Sequence, residues 1–150
     1  MRAIIQRVSE ASVSIDGRVK ASVGAGFLVL LGVGTDDGEE DADWLCDKIA
    51  GLRVLSDADR KMNLDLKETG GEVLVISQFT LHASYKKGNR PSFIRAARPD
   101  VAVPLYERFV ERLSAMLGKL VQTGTFGADM RVSLVNDGPV TIIMDSKARE

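Results

Sequence analysis

One histidine and one cysteine in 150 residues leave few ways to build side-chain catalysis. On a strand, Thr80 and His82 would share a face, so a hydroxyl nucleophile with an imidazole base is one reading. The plainer reading has both residues lining a strand end, because no acid close in sequence orients the ring. Cys46 falls inside an apolar helical pattern and reads as a small buried hydrophobe. No metal site is expected. Asp36, Asp37, Glu39, Glu40, Asp41 and Asp43 crowd the start of a helix, where the dipole favours carboxylates without a cation. Asp57, Asp59 and Glu68 imitate a calcium loop, but Lys61 takes a ligand position and Met62 replaces the glycine of the sharp turn, so a plain loop is expected. What remains is a site of peptide N–H groups, hydroxyls and an amide. Oxyanion stabilisation of that kind contributes roughly 3 kcal/mol per donor, which suits an ester whose substrate brings its own reactive group.

Two further segments invite a function. From Ala83 to Pro99 the chain holds Lys86, Lys87, Arg90, Arg95 and Arg98 with no acid, interleaved with Tyr85, Asn89, Ser92 and Phe93. Such a loop is either solvated surface or a salt-sensitive grip on an RNA backbone, and by itself it would serve a non-catalytic nucleic-acid-binding module equally well. Gly138-Pro139 reads as a turn between the last two strands, or else as a cis peptide that sets two carbonyls side by side.

The elements that must carry these residues follow from periodicity. Ala3 to Val8 and the alternation through Val13 and Ile15 read as strand, Asp16-Gly17 as a hairpin turn, and Val19 to Val23 as the return. Phe27 to Val33 is apolar at nearly every residue and reads as a central strand covered on both faces. A helix is expected over 38–53, with Ala42, Leu45, Ile49 and Leu52 on its buried face and Asp37 with Glu40 as a capping box. Val73 to Ile76 reads as a buried strand that delivers Ser77 to Leu81 at its end. A second helix is expected over 101–118, burying Leu105, Phe109, Leu113, Met116 and Leu117, with Asp100 as cap and Pro104 in its first turn. Strands 130–135 and 140–144 complete a mixed-sheet α/β chain, expected as a single domain over 1–150.

Bulk properties narrow the class. Hydrophobic residues make up 45% and charged residues 27%, which is ordinary globular composition. The lone cysteine excludes an internal disulfide framework, and no apolar run approaches the roughly 20 residues of a membrane span, so the cytoplasm is expected. A net charge of -1 exerts no global pull on nucleic acid, so any RNA contact must be local.

Seven blocks, in order, carry a resemblance that covers almost the whole chain. They are Ile5-Gln6-Arg7-Val8 with Ala11-Ser12-Val13, Gly24-Ala25-Gly26, Lys61-Met62-Asn63, Ser77 to Leu81, Arg90-Pro91-Ser92-Phe93, Gly124 to Met130, and Asn136-Asp137-Gly138-Pro139-Val140-Thr141. The chain resembles the bacterial D-aminoacyl-tRNA deacylases. The resemblance implies a three-layer α/β/β fold, a homodimer in which each site is completed by the partner subunit, aminoacylated tRNA as substrate and no cofactor. It implies that Ser77, Gln78, Phe79 and Thr80 surround the terminal adenosine and the ester, with the Phe79 and Thr80 amides as oxyanion donors. Phe126, Ala128 and Met130 would line the adenosine pocket, while Lys86, Lys87 and Arg90 would meet phosphate. It further implies that Asn136 and a Gly138-cis-Pro139 pair act in chiral selection by excluding L-amino acids. The chemistry would fall to the terminal 2′-hydroxyl, with the Thr80 hydroxyl as the alternative nucleophile. Two departures stand out: His82 replaces a small or apolar residue, and Arg60 replaces a glycine.

Overall fold

The computed structural model describes residues 1–150, and its layout is set by two strands that are buried on both faces. β3 (Gly26–Gly32) and β6 (Glu72–Ser77) pair in parallel, Gly26 with Glu72 through Leu31 with Ser77. Alternation sends Phe27, Val29, Leu31, Val73 and Val75 to one side and Leu28, Leu74 and Ile76 to the other, so each side has its own core. The pair closes tightly at its start. A Cβ on Gly26 would lie 1.9 Å from the Glu72 carbonyl oxygen, and its φ of +153 is one that L side chains rarely adopt.

Helices cover the first face. α1 (Glu39–Ala50) buries Ala42, Leu45, Cys46 and Ile49, and α3 (Pro99–Leu117) buries Leu105, Phe109 and Leu113. The Arg108 guanidinium grips the Asp43 carboxylate with two hydrogen bonds of 3.0 and 2.9 Å between these helices. The second face is covered by strands. β1 (Arg2–Ile15) pairs first with β3 and then, past Val8, with β2 (Arg18–Val23), while β8 (Arg131–Asp145) runs antiparallel along almost all of it. The far halves of β1 and β8, together with β2, pack Val8, Ala11, Val13, Ala21, Val23, Val132 and Leu134 over Leu28, Leu74 and Ile76. The result is the three-layer α/β/β arrangement. The short β7 (Gln122–Thr123) completes the sheet order β2-β1-β3-β6-β7, with β8 on β1.

Several local expectations change. The first helix is capped by Gly38, whose N–H donates to Asp41 (2.9 Å), while Asp37 turns back to the Met1 α-amino group and to the Gly34 N–H (2.6 Å). Asp37 and Glu40 therefore form no capping box. α3 starts at Pro99 rather than 101, because proline suits a first helical position; Asp100 lies within the first turn, and Pro104 falls in the second. The loop expected after Asp57 is a small hairpin of β4 (Leu55–Ser56) and β5 (Met62–Leu64), followed by α2 (Leu66–Thr69). Its turn consumes the Asp57 carboxylate, which accepts from the Asp59 and Lys61 N–H groups (2.9 and 3.0 Å) and from Asn63 (3.1 Å). Arg60 stands there at φ +61, a backbone state that favours the glycine it replaces.

The largest change lies in β8. No turn separates two strands there. Both halves continue along β1, Arg131 opposite Ser14 and Asp145 opposite Arg2, and the four residues Asp137 to Val140 bulge out opposite the single residue Arg7. The Gly138–Pro139 bond within this bulge is cis.

Gly26→Ala is expected to destabilise the fold by about 3 kcal/mol or more, since neither backbone can yield without breaking the β3–β6 ladder. Urea denaturation measures this; a midpoint unchanged from the parent chain would contradict the packing described.

Candidate active site

β6 stops at Ser77, and the chain does not continue as strand through Leu81. The Gln78 N–H still donates to the Leu31 carbonyl (2.7 Å), after which Phe79–His82 tighten into a 3-10 turn. This turn separates the two residues that a strand would have set on one face. Thr80 is exposed and its hydroxyl accepts from the Gln78 side-chain amide at 2.6 Å. His82 is buried, and its Nε2 donates to the Gly32 carbonyl at 3.2 Å. A nucleophile and base pair of Thr80 and His82 is therefore not formed. The ring fills a niche that exists because residues 32 and 34 lack side chains: a Cβ would approach it to 3.2 Å at Gly32 and 2.9 Å at Gly34. Burial holds the imidazole pKa below its ordinary value, and Arg2 nearby acts in the same direction.

Beside this turn opens a cavity of about 310 Å³, at the small end of the roughly 300–1,000 Å³ usual for ligand pockets. Its floor is Leu31, Ile76 and Ser77; Gln78 and the exposed Phe79 lie at its lip; Phe126, Ala128 and Met130 complete the lining. The walls are held by contacts the sequence does not display. The Phe126 ring meets the Tyr106 ring edge-on at 5.9 Å, and the Tyr106 hydroxyl is anchored by donating to the Val75 carbonyl (2.9 Å). Burial pushes that phenol up to about 12. Met130 lies where a Cβ on Gly124 would sit, 2.4 Å from its sulfur, so glycine at 124 makes room for it. On the lip, Phe79 packs edge-on against Phe93 at 5.1 Å. The Phe79 and Thr80 amides open the 3-10 turn, where peptide N–H groups lack acceptors within the turn.

Six of the residues expected at the site, Ser77, Gln78, Phe79, Phe126, Ala128 and Met130, thus share one cavity. The others lie elsewhere. Thr80 adjoins the cavity through Gln78. Lys86, Lys87 and Arg90 project from an exposed loop whose base is closed by reciprocal Ser84–Ser92 hydrogen bonds of 2.8 Å. Asn136, Gly138 and Pro139 belong to the bulge opposite Arg7, whereas Ser77 is level with Ala3, four residues or about 13 Å further along β1. The bulge is pinned from both ends. Arg7 donates to the carbonyls of Asp137 and Val54 (2.8 Å each), and the Asn136 side chain accepts from the Val140 N–H (3.0 Å) and donates to Gln6 (2.5 Å). Gly138 and Pro139 are left exposed. Arg7 and Gln6 were visible only as part of the Ile5-Gln6-Arg7-Val8 block, with no sign of what they hold. No three His, Cys, Asp or Glu side chains gather as metal ligands, and no helix is long and apolar enough to cross a membrane.

A three-layer α/β/β chain with an apolar pocket rimmed by peptide groups and an amide defines a class in which residues 4–145 find their family model, described as D-Tyr-tRNA(Tyr) deacylase. The chain belongs to that family. It is 61% identical to the D-aminoacyl-tRNA deacylase of Bacteroides thetaiotaomicron and 60% identical to that of Akkermansia muciniphila, in each case over the whole of both chains. Among solved structures it superposes on the c-Myc DNA Unwinding Element Binding Protein with a TM-score of 0.92 and 38% identity, covering 99% of this chain and 100% of that one. A probable eukaryotic D-amino acid tRNA deacylase shares the fold at a TM-score of 0.82 and 17% identity, over 95% and 97% of the two chains. The chain is accordingly a hydrolase acting on aminoacyl-tRNA esters, in translation quality control.

The buried imidazole sets a pH dependence. Its folded pKa lies below the unfolded value of 6.5, so the unfolded chain takes up the proton first, and stability falls as pH drops below about 6.5. Thermal melts between pH 7.5 and 5.5 should show a steeper loss for the parent than for His82→Gln; parallel slopes would contradict a neutral buried ring.

Proposed function

We propose that the chain removes D-amino acids from tRNA by binding the terminal adenosine in the cavity between Phe79 and Phe126, Ala128 and Met130. The observation that carries this reading is the split itself: the pocket and its peptide donors lie at one end of β6, while the exposed Gly138–Pro139 bulge of the same chain sits about 13 Å away along β1. Such a bulge serves a pocket best when it belongs to a second copy, so the working unit is a homodimer with each site completed by the partner subunit. The carbonyls of Gly138 and Pro139 then form a wall beside the substrate's α-carbon. An L side chain points into that wall, and a D side chain or the hydrogen of glycine does not, so glycyl-tRNA is a secondary substrate. Selection acts by exclusion and is indifferent to side-chain identity.

Hydrolysis needs a water at the ester carbonyl, release of the ribose 3′-oxygen and a home for the transient negative charge. The Phe79 and Thr80 amides are suited to the last task. His82 is buried against Gly32 and no other base lies at Thr80, which supports assigning activation of the water to the terminal ribose 2′-hydroxyl. Lys86, Lys87 and Arg90 meet the RNA backbone. The enzyme acts in the cytoplasm, where its tRNA substrate is used.

Purified protein should deacylate D-tyrosyl-tRNA and spare L-tyrosyl-tRNA; comparable rates on the two would sink the selectivity. Thr80→Ala should keep at least about one tenth of the turnover, as expected for a hydroxyl that is not the nucleophile. Gly138→Ala introduces a Cβ 2.8 Å from the Val140 N–H and 3.2 Å from the Arg7 guanidinium, so it should displace the bulge and lower the D-over-L preference by roughly tenfold or more. An unchanged preference would separate the bulge from chirality.

A further inference from the structure

The segment from Phe79 to Ile94 carries side chains that the deacylation reading leaves unused. Three of the large exposed apolar side chains lie in it: Phe79 at 55%, Tyr85 at 79% and Ile94 at 83% exposure. Phe79 belongs to the pocket lip, but Tyr85 covers no core and stands at the head of the most basic stretch of the chain. Lys86, Lys87 and Arg90 follow it, all exposed and none within an ion pair, although acids outnumber bases in the whole sequence.

The loop's position relative to the pocket is fixed by its base. Tyr85 follows Ser84, which exchanges both backbone hydrogen bonds with Ser92. Ser92 precedes Phe93, whose ring meets Phe79 at 5.1 Å, and Phe79 lines the cavity. A hydrogen-bonded antiparallel pair and one residue on either side set the Tyr85 Cα within about 13 Å of the Phe93 Cα. An exposed aromatic ring beside unpaired cations, near a pocket assigned above to one nucleoside, has the make-up of a surface for single-stranded nucleic acid: the ring stacks a base and the cations take phosphates. Charge complementarity selects this occupant, since the stretch from Ala83 to Pro99 offers positive charge only.

We propose that Tyr85 stacks the base that precedes the terminal adenosine, making the Ser84–Ser92 loop a second nucleotide subsite. The proposal rests on the placement of the terminal adenosine in the cavity. Because every base has a π-face, such a subsite tolerates any base at that position and responds to loss of the aromatic ring rather than to base identity.

The test compares kcat/KM on D-tyrosyl-tRNA with that on 3′-O-D-tyrosyl-adenosine, which lacks the preceding nucleotide. Tyr85→Ala and Tyr85→Leu are expected to lower the preference for tRNA over the truncated ester about tenfold, through KM, and Tyr85→Phe to retain it. Melting temperature and sedimentation should match the parent chain for all three. An unchanged preference, equal losses on both substrates, or a shift in oligomeric state would overturn the subsite and leave the pocket's assignment standing. A parent protein inert toward both substrates would overturn pocket and subsite together.

Discussion

The parallel pairing of β3 with β6 is the constraint on which the rest depends. Both strands are buried on both faces, so neither end can be adjusted by swinging a strand outward. Gly26 lets the two backbones close at one end, and the Gln78 N–H bond to Leu31 closes them at the other. Everything at the pocket hangs from that second closure. Ser77 ends the strand, Gln78 turns, and the next four residues wind into the 3-10 turn with Phe79 on the lip and His82 wedged beneath. Ligand sites in open α/β sheets lie beyond the carboxyl ends of parallel strands, and this one obeys the same geometry.

The bulge proposed to complete the site has a different physical basis. Arg7 contributes one residue to β1 where β8 contributes four, and its guanidinium spans the carbonyls of Asp137 and Val54. A largely buried cation held by carbonyl dipoles, with Asn136 closing the loop on the other side, ties this exposed projection down at both ends. A pocket and a projection set apart on one chain are the two parts that the proposed two-fold assembly would bring together.

Much of this was legible in the residues. The double-sided burial of Phe27 to Val33, the Asp16-Gly17 hairpin and both helical faces follow from periodicity, and the pocket residues follow from family blocks that the fold brings together. The misses have common causes. Val135 and Val140 flank turn-forming residues, and local sequence cannot separate a turn from a bulge, because the difference is whether both flanks pair with the same distant strand. A shared face for Thr80 and His82 required the strand to run on past Ser77; instead the chain turns after Gln78, and His82 enters the space left by Gly32 and Gly34, some fifty residues earlier. Asp37 looked like a cap and instead meets the buried amino group of Met1, a partner that no local window reveals. His82, the one imidazole the sequence offers, lies buried against Gly32 while Thr80 stands exposed.

The central claim is that the substrate supplies the group that activates water, while this chain supplies the pocket, the peptide donors and the wall. The most direct measurement is single-turnover hydrolysis of D-tyrosyl-tRNA whose terminal residue is 2′-deoxyadenosine, with the ester on the 3′-oxygen, compared with the ribose form. The account predicts that turnover falls by on the order of 10²–10⁴ while binding is retained. Turnover within a few-fold of the ribose substrate, together with complete loss in Thr80→Ala, would contradict it and return the chemistry to the protein.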